Sequence, residues 1–398
     1  MPRSVTKVNG IHYKTKQPVT IHIEHGRIQS LHPLDAEIRQ AALPWVAPGL
    51  VDLQINGYFG ADFNTIPIAE GAVERATRGL WRQGVTTYFP TVITNGDAEI
   101  EQAMRSIAAA CAADPVSAAA APGIHLEGPF ISPEDGPRGA HDRSFTKAPD
   151  WPLFQRWQEA AQGRIKIVTL SPEWPGSAEF IERCVEQGVI VSIGHTAASP
   201  EQIAEAVQAG ARMSTHLGNG AHLSLPRHPN YIWEQLSRDE LAACVIADGF
   251  HLPDSVLKVT LRAKGEKALL VSDAVYLSGM EPGLYENHIG GRVVLTPEGR
   301  LHLAEHPGLL AGSAQLLPWG ISHLLDSGLA ELDTAWEMAS LRPSALLNLP
   351  SQSGLAPGAP ADLVLFELKR PQGVKIIQTY KLGERVFDSA SPAKEANA

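Results

Sequence analysis

Apolar and polar residues recur along this chain with two different periods. Over residues 1–46, short segments such as VTIHIEHGRIQSL alternate every second residue, the period of a half-buried strand, and Gly26 falls where a tight hairpin turn is needed. Residues 355–398 carry the same pattern: after the Pro/Gly-rich GLAPGAPAD, the stretches ADLVLFEL and VKIIQTYKLGERVF read as strands. The two ends are expected to pair into one small β-sandwich domain, 1–46 with 355–398, flanking a larger domain over 47–354.

Within 47–354 the period changes. Short apolar runs alternate with amphipathic stretches of helical spacing, which predicts repeated βα units and a parallel sheet. Eight runs qualify: GLVDLQIN (49–56), VTTYFPTVI (85–93), GIHLEG (123–128), IKIVTLSPE (165–173), VIVSIGH (189–195), ARMSTH (211–216), ACVIADGFH (243–251) and ALLVSDA (268–274). The helical patterns AEFIERCVEQG and PEQIAEAVQAG end at Gly188 and Gly210, as helix C-caps do. Eight units predict a closed (β/α)8 barrel of the TIM type. A segment at 282–303, containing GGRVVLTPEGRLHL, reads as a hairpin inserted after the eighth strand, followed by helices near 313–326 and 333–347.

The chemistry gathers at the carboxyl ends of these runs, where barrel enzymes build their active sites. Glu127 ends the third run, His195 the fifth, His216 the sixth, His251 the seventh and Asp273 the eighth. One polar residue ending an apolar strand is ordinarily a capping or packing group; five converging on one face are harder to read that way. Glu127, His195 and His216 supply two imidazoles and a carboxylate, a three-ligand set for zinc or ferrous iron that leaves a position for water. Such a water has its pKa lowered from about 15.7 toward about 7, making a nucleophile at neutral pH. Asp273 is placed to take its proton and return it to a leaving amine, and His251 to polarise a carbonyl and steady the oxyanion.

Bulk composition narrows the partners. The 398 residues include 33 Lys and Arg against 43 Asp and Glu, a net charge of −10 with no long basic run, so nucleic acid is not an expected partner. Three widely spaced cysteines, Cys111, Cys184 and Cys244, imply neither a disulfide framework nor a thiolate metal site. No apolar stretch reaches the roughly 18 residues of a membrane span, and the polar amino terminus is not a signal sequence. A cytoplasmic protein acting on a small molecule is the expectation.

In order along the chain stand APGLVDLQINGYFGADF (47–63), HLEGPF (125–130), GAHD (139–142), GHT (194–196), THLGN (215–219), ADGFH (247–251), SDA (272–274) and LAGS (310–313). This series resembles the N-acetylglucosamine-6-phosphate deacetylases of the amidohydrolase superfamily over most of the chain. The resemblance implies removal of the N-acetyl group from a phosphorylated amino sugar. It implies one divalent ion per subunit, Zn2+ or Fe2+, because Gln54 and Asn56 occupy the positions where the superfamily carries a His-x-His pair for a second metal. Gln54 is either part of the metal pocket or a hydrogen bonder of the barrel floor. The resemblance also assigns His141 and the Ala140 backbone to the sugar, and Asn219, Gly220 and Arg227 to its phosphate. In relatives that arginine reaches across a dimer interface, so a homodimer is implied.

The chain departs from the family pattern after the second histidine ligand. Asn219-Gly220-Ala221 and then His222 replace the usual Asn-Ala-Met, and LPRHPNYIW places His228 where a carboxylate is usual. These histidines are either substrate-facing or ordinary loop residues. Two alternatives therefore stand beside the leading reading: a deacetylase of N-acetylgalactosamine 6-phosphate or another acylated amino sugar, and a barrel that binds without catalysis. The irregular GPFISPEDGPRGAHD is expected to be a long active-site segment.

Overall fold

The computed structural model describes residues 6–34, 43–287, 291–369 and 373–391. The parts of the expected terminal domain at 1–5, 35–42, 370–372 and 392–398, and residues 288–290 of the expected hairpin, lie outside the described residues. The chain divides into two compact units, one formed by Met1–Val51, Arg78–Thr87 and Leu317–Ala398, the other by Asp52–Thr77 and Tyr88–Leu316.

In the first unit, strands from both ends of the chain share one seven-stranded sheet. Strands Pro18–Glu24 and Arg27–Pro33 are joined by His25 and Gly26, both at positive φ (51° and 74°), as a two-residue hairpin turn requires. From the other end, Leu363–Lys369 pairs antiparallel with Trp45–Pro48. The alternation read in the sequence has a physical outlet here: Val19, Ile21 and Ile23 bury one face against Ile28, Val46, Leu363 and Leu365. The long helix expected near 333–347 is two, Leu332–Met338 and Leu341–Leu346. Pro343 explains the break, since in a continuous helix its ring would collide with the carbonyl four residues earlier.

The second sheet has eight strands, labelled here β1 (Leu50–Ile55), β2 (Val85–Ile93), β3 (Ile124–Glu127), β4 (Ile165–Leu170), β5 (Ile190–Ile193), β6 (Met213–Ser214), β7 (Ala242–Val245) and β8 (Ala268–Leu270). They neighbour one another in chain order, and the pairs from β2 through β8 are parallel. Closure follows from the segment after β8: Ala274 bridges Ile55 in parallel, and Asp273 N donates to Gln54 O over 2.9 Å. Every residue of β1, β3, β7 and β8 is buried; β7 and β8 are continuously apolar, whereas β1 and β3 alternate apolar residues with buried Asp52 and Gln54, and with His125 and Glu127. Among the intervening helices, Pro200–Ala209 starts with a Ser199–Gln202 capping box and ends at Gly210 in the left-handed region.

The insertion after β8 is a meander rather than a simple hairpin. Gly283–Asn287, Gly291–Leu295 and Leu301–Leu303 form three antiparallel strands. The third forms because Leu301 joins Val293 and Leu295 in covering Leu277 and Ala314.

Candidate active site

The strand ends place the side chains. Glu127 is the last residue of β3 and is 3% exposed; the chain then turns at Gly128, where a Cβ would lie only 2.1 Å from Thr94 Oγ1. His195, His216 and Asp273 follow β5, β6 and β8 at φ of 48°, 28° and 49°. Left-handed backbone costs a non-glycine residue about 1–2 kcal/mol and persists where the surroundings over-determine it. Three such residues sit at the carboxyl ends of three barrel strands.

Their donor atoms converge. His195 Nε2 is 3.2 Å from Glu127 Oε1, His216 Nε2 is 3.1 Å from the same oxygen, and the two Nε2 atoms are 3.0 Å apart. His195 Nδ1 donates to Pro137 O over 2.8 Å, so in the neutral ring Nε2 is a bare lone pair. Electron-rich atoms meeting in this way require a cation or a shared proton between them. Ligands bonded to one tetrahedral zinc at about 2.0–2.1 Å stand about 3.3 Å apart, close to the separations here, so the residues fit a metal. Burial raises the Glu127 carboxyl pKa, but the His195 and His216 imidazoles against it outweigh that effect and hold the group well below the ordinary carboxylate range.

His141 stands against this group, its ring centroid 4.4 Å from that of His195, and it offers a ring nitrogen within 4.8 Å of donor atoms of Glu127 and His195. Its Nδ1, however, is engaged by Thr94 Oγ1 at 2.8 Å. The mutual 3.0–3.2 Å distances single out Glu127, His195 and His216 as the tighter set. Burial, then the nearby His195, pushes the His141 imidazole down to about 3, so it is neutral.

Asp273 is tied to the donors by amides. Gln54 Nε2 donates to Glu127 Oε1 at 2.8 Å and to Asp273 Oδ1 at 3.1 Å, and Asn56 Nδ2 donates to the same Asp273 oxygen at 2.8 Å. Burial and the Glu127 charge push the Asp273 carboxyl up to about 6, against the opposing pull of His216 and His251. Such a group changes protonation near neutral pH, as a general base must. His251 is held through Nδ1 by Asp248 Oδ2 at 2.7 Å, which fixes the orientation of its ring.

The periphery is looser. Ala140 is exposed and adjoins buried His141, whose carbonyl accepts from Arg138 Nη1 at 2.6 Å. Gly220 lies so close to the donors that a Cβ there would be 2.7 Å from His195 Nδ1. The Asn219 backbone N–H donates to His216 O at 2.9 Å. Arg227 and His228 lie on an exposed loop. His222 links two loops: its backbone N–H donates to the Tyr231 hydroxyl at 2.8 Å and its Nε2 is 3.0 Å from Glu134 Oε2.

Asp248, Asn56 and Thr94 escaped the reading of the sequence. Asp248 had a usable signal, a carboxylate three residues before His251 in the same turn. Asn56 stood in plain view as a replaced histidine, but its partner Asp273 is 217 residues away.

The amidohydrolase family model matches residues 45–393. The chain is 32% identical over 355 residues to the N-acetylglucosamine-6-phosphate deacetylase of Bacillus subtilis (strain 168), spanning 87% of this chain and 88% of that protein. It is 32% identical over 361 residues to the Homo sapiens enzyme of the same name, spanning 86% and 84%. Among solved structures, a mutant N-acetyl-D-glucosamine-6-phosphate deacetylase from Mycobacterium smegmatis in complex with N-acetyl-D-glucosamine-6-phosphate superimposes with a TM-score of 0.81 at 27% identity, covering 93% of this chain and 94% of that one. The Thermotoga maritima deacetylase gives 0.82 at 25% identity, covering 97% and 99%.

Proposed function

The chain belongs to the amidohydrolase family and, within it, to the N-acetylglucosamine-6-phosphate deacetylases, and on that footing we propose that it hydrolyses N-acetylglucosamine 6-phosphate to glucosamine 6-phosphate and acetate. The observation that carries this reading is the meeting of Glu127, His195 and His216, joined through Gln54 to a buried carboxyl at Asp273.

The family and the buried Glu/His cluster make this a divalent-metal site. We assign the ion to Glu127, His195 and His216 and take it to be zinc, with ferrous iron the alternative, since two imidazoles and a carboxylate suit either. When bound, the ion supplies a water acidic enough to attack at neutral pH and a positive charge beside the acetyl oxygen.

The remaining work falls to the chain. Asp273, held at Oδ1 by Asn56 and Gln54, accepts the proton of the attacking water and passes it to the amide nitrogen as the carbon–nitrogen bond breaks. His251, oriented by Asp248, steadies the oxyanion through Nε2. His141 and the Ala140 backbone hold the sugar. Asn219, Gly220 and Arg227 hold the phosphate, Arg227 because a guanidinium fork matches phosphate oxygens. No helix among the described residues is long and apolar enough to cross a membrane. We take the enzyme to be cytoplasmic, on its three dispersed cysteines, and homodimeric, on the family resemblance.

The test is acetate release from N-acetylglucosamine 6-phosphate, beside its galactosamine epimer and the unphosphorylated sugar, with metal quantified in the same protein. Turnover of the glucosamine phosphate with metal bound is the expected result. Preference for the epimer or for the free sugar would replace the substrate, and metal binding without turnover of any would leave a binding barrel.

A further inference from the structure

Two residues before Glu127 on β3 comes His125, and it heads a buried polar chain that the proposed reaction does not use. His125 Nδ1 lies 2.9 Å from Leu53 O and its Nε2 2.7 Å from Thr169 Oγ1. Thr169 Oγ1 is 2.6 Å from Thr215 Oγ1, which is 2.5 Å from Ser192 Oγ. All four side chains are buried. A carbonyl oxygen only accepts, so Nδ1 carries the imidazole hydrogen. With uncharged partners on both nitrogens in a fully buried place, the ring is neutral, and Nε2 accepts from Thr169. Each hydroxyl has one hydrogen to give, which orders the whole chain: Ser192 donates to Thr215, Thr215 to Thr169, Thr169 to His125, and His125 to Leu53.

The chain touches each proposed metal donor within a residue or two. His125 precedes Glu127 by two positions on β3. Thr169 is the direct register partner of Glu127 across β3 and β4. Thr215 immediately precedes His216. At Gly194, which precedes His195, a Cβ would stand 2.7 Å from Thr215 Cβ and 2.9 Å from Thr169 Cγ2, so these two threonines pack on the backbone entering His195.

We propose that Thr169, at the centre of this chain, is a positioning residue that sets the mutual placement of Glu127, His195 and His216 and thereby the affinity of the site for its metal. The inference rests on the metal reading given above. Thr169→Val keeps the volume, removes the hydroxyl, and leaves His125 Nε2 without its donor and the Thr215 hydrogen without its acceptor. Competition between the protein and a chromophoric chelator for Zn2+ reads the consequence. Affinity for Zn2+ is expected to fall about 10- to 100-fold, as for other groups that orient metal ligands without touching the metal. Thr169→Ser, which keeps the hydroxyl, is expected to restore it. A purely structural threonine would lower the melting temperature of the metal-free protein and leave Zn2+ affinity unchanged, and that outcome overturns the proposal. Ser192→Ala removes only the outermost donor and carries the same test where Thr169→Val does not fold. Wild-type protein that binds neither Zn2+ nor Fe2+ would overturn the metal reading itself, so the two failures are told apart by the control.

Discussion

His251 donates from Nδ1 to Asp248 Oδ2 across 2.7 Å, while the backbone amides of Phe250 and His251 both close on the carboxylate's other oxygen at 2.8 Å. The aspartate thus fixes both the turn after β7 and the tautomer of the histidine it carries. Asp248→Asn keeps the shape and removes the charge. It is expected to lower kcat about 10- to 100-fold with a smaller change in KM, because the oxyanion contact is made mainly in the transition state. Steady-state acetate release measures this, and an unaltered kcat would detach Asp248 from the oxyanion contact.

Asp273→Asn should reduce kcat by at least about 100-fold while metal content stays near that of the wild type, since Asp273 is outside the proposed donor set. In the wild type the carboxyl is pushed up to about 6. A base works in its ionised form, and a bound cation favours that form, so kcat/KM of the metal-loaded enzyme should fall on the acid side, at or below that value, and level off above it. A pH–rate profile with no acid limb would remove Asp273 from proton transfer.

Arg227→Ala should raise KM for the phosphorylated sugar more than it lowers kcat, and leave the unphosphorylated sugar untouched. Its side chain is exposed, so little stability is at stake. An equal effect on both sugars would place Arg227 away from the phosphate.

Asp52 makes stability pH-dependent. It is fully buried on β1, its Oδ1 accepts from Ser272 N and Gln54 N, and burial pushes its carboxyl up from the ordinary carboxylate range to about 7. Because the folded-state value is the higher, the folded protein holds a proton that the unfolded chain has lost. The associated stability is complete below the unfolded value and lost as the pH rises toward the folded one. Asp52→Asn cannot titrate, so wild type should lose about 1–3 kcal/mol relative to it between pH 5 and pH 8. Denaturant titrations at the two pH values give the difference directly, and a constant gap would show that Asp52 stays ionised.

What was legible in the sequence is what repeats or ends a pattern. Each of the eight apolar runs contains a strand, since strands covered on both faces are rich in apolar residues, and Glu127, His195, His216 and Asp273 stood out as the polar residues closing them. The third strand of the 283–303 insertion was not legible, because Leu301–Leu303 is too short to show a period and forms only against Val293 and Leu295. Nor were His125, Thr169, Ser192 and Thr215. Threonine or serine inside an apolar run reads as ordinary strand composition, and only the parallel pairing of β3 to β6 brings these residues into one hydrogen-bonded row. Asn56 and Gln54 were visible as substitutions, but their shared hold on Asp273 depends on the pairing of the first strand with the segment after the eighth.

The left-handed backbone at His195, His216 and Asp273 sets these positions against their own side chains. Glycine would sit there with less strain, so substitution to glycine at any of the three relaxes the backbone while erasing the chemistry. Drift toward glycine at these sites therefore runs downhill, and selection for turnover holds it back. A descendant freed from that selection should lose these residues early while keeping its barrel intact.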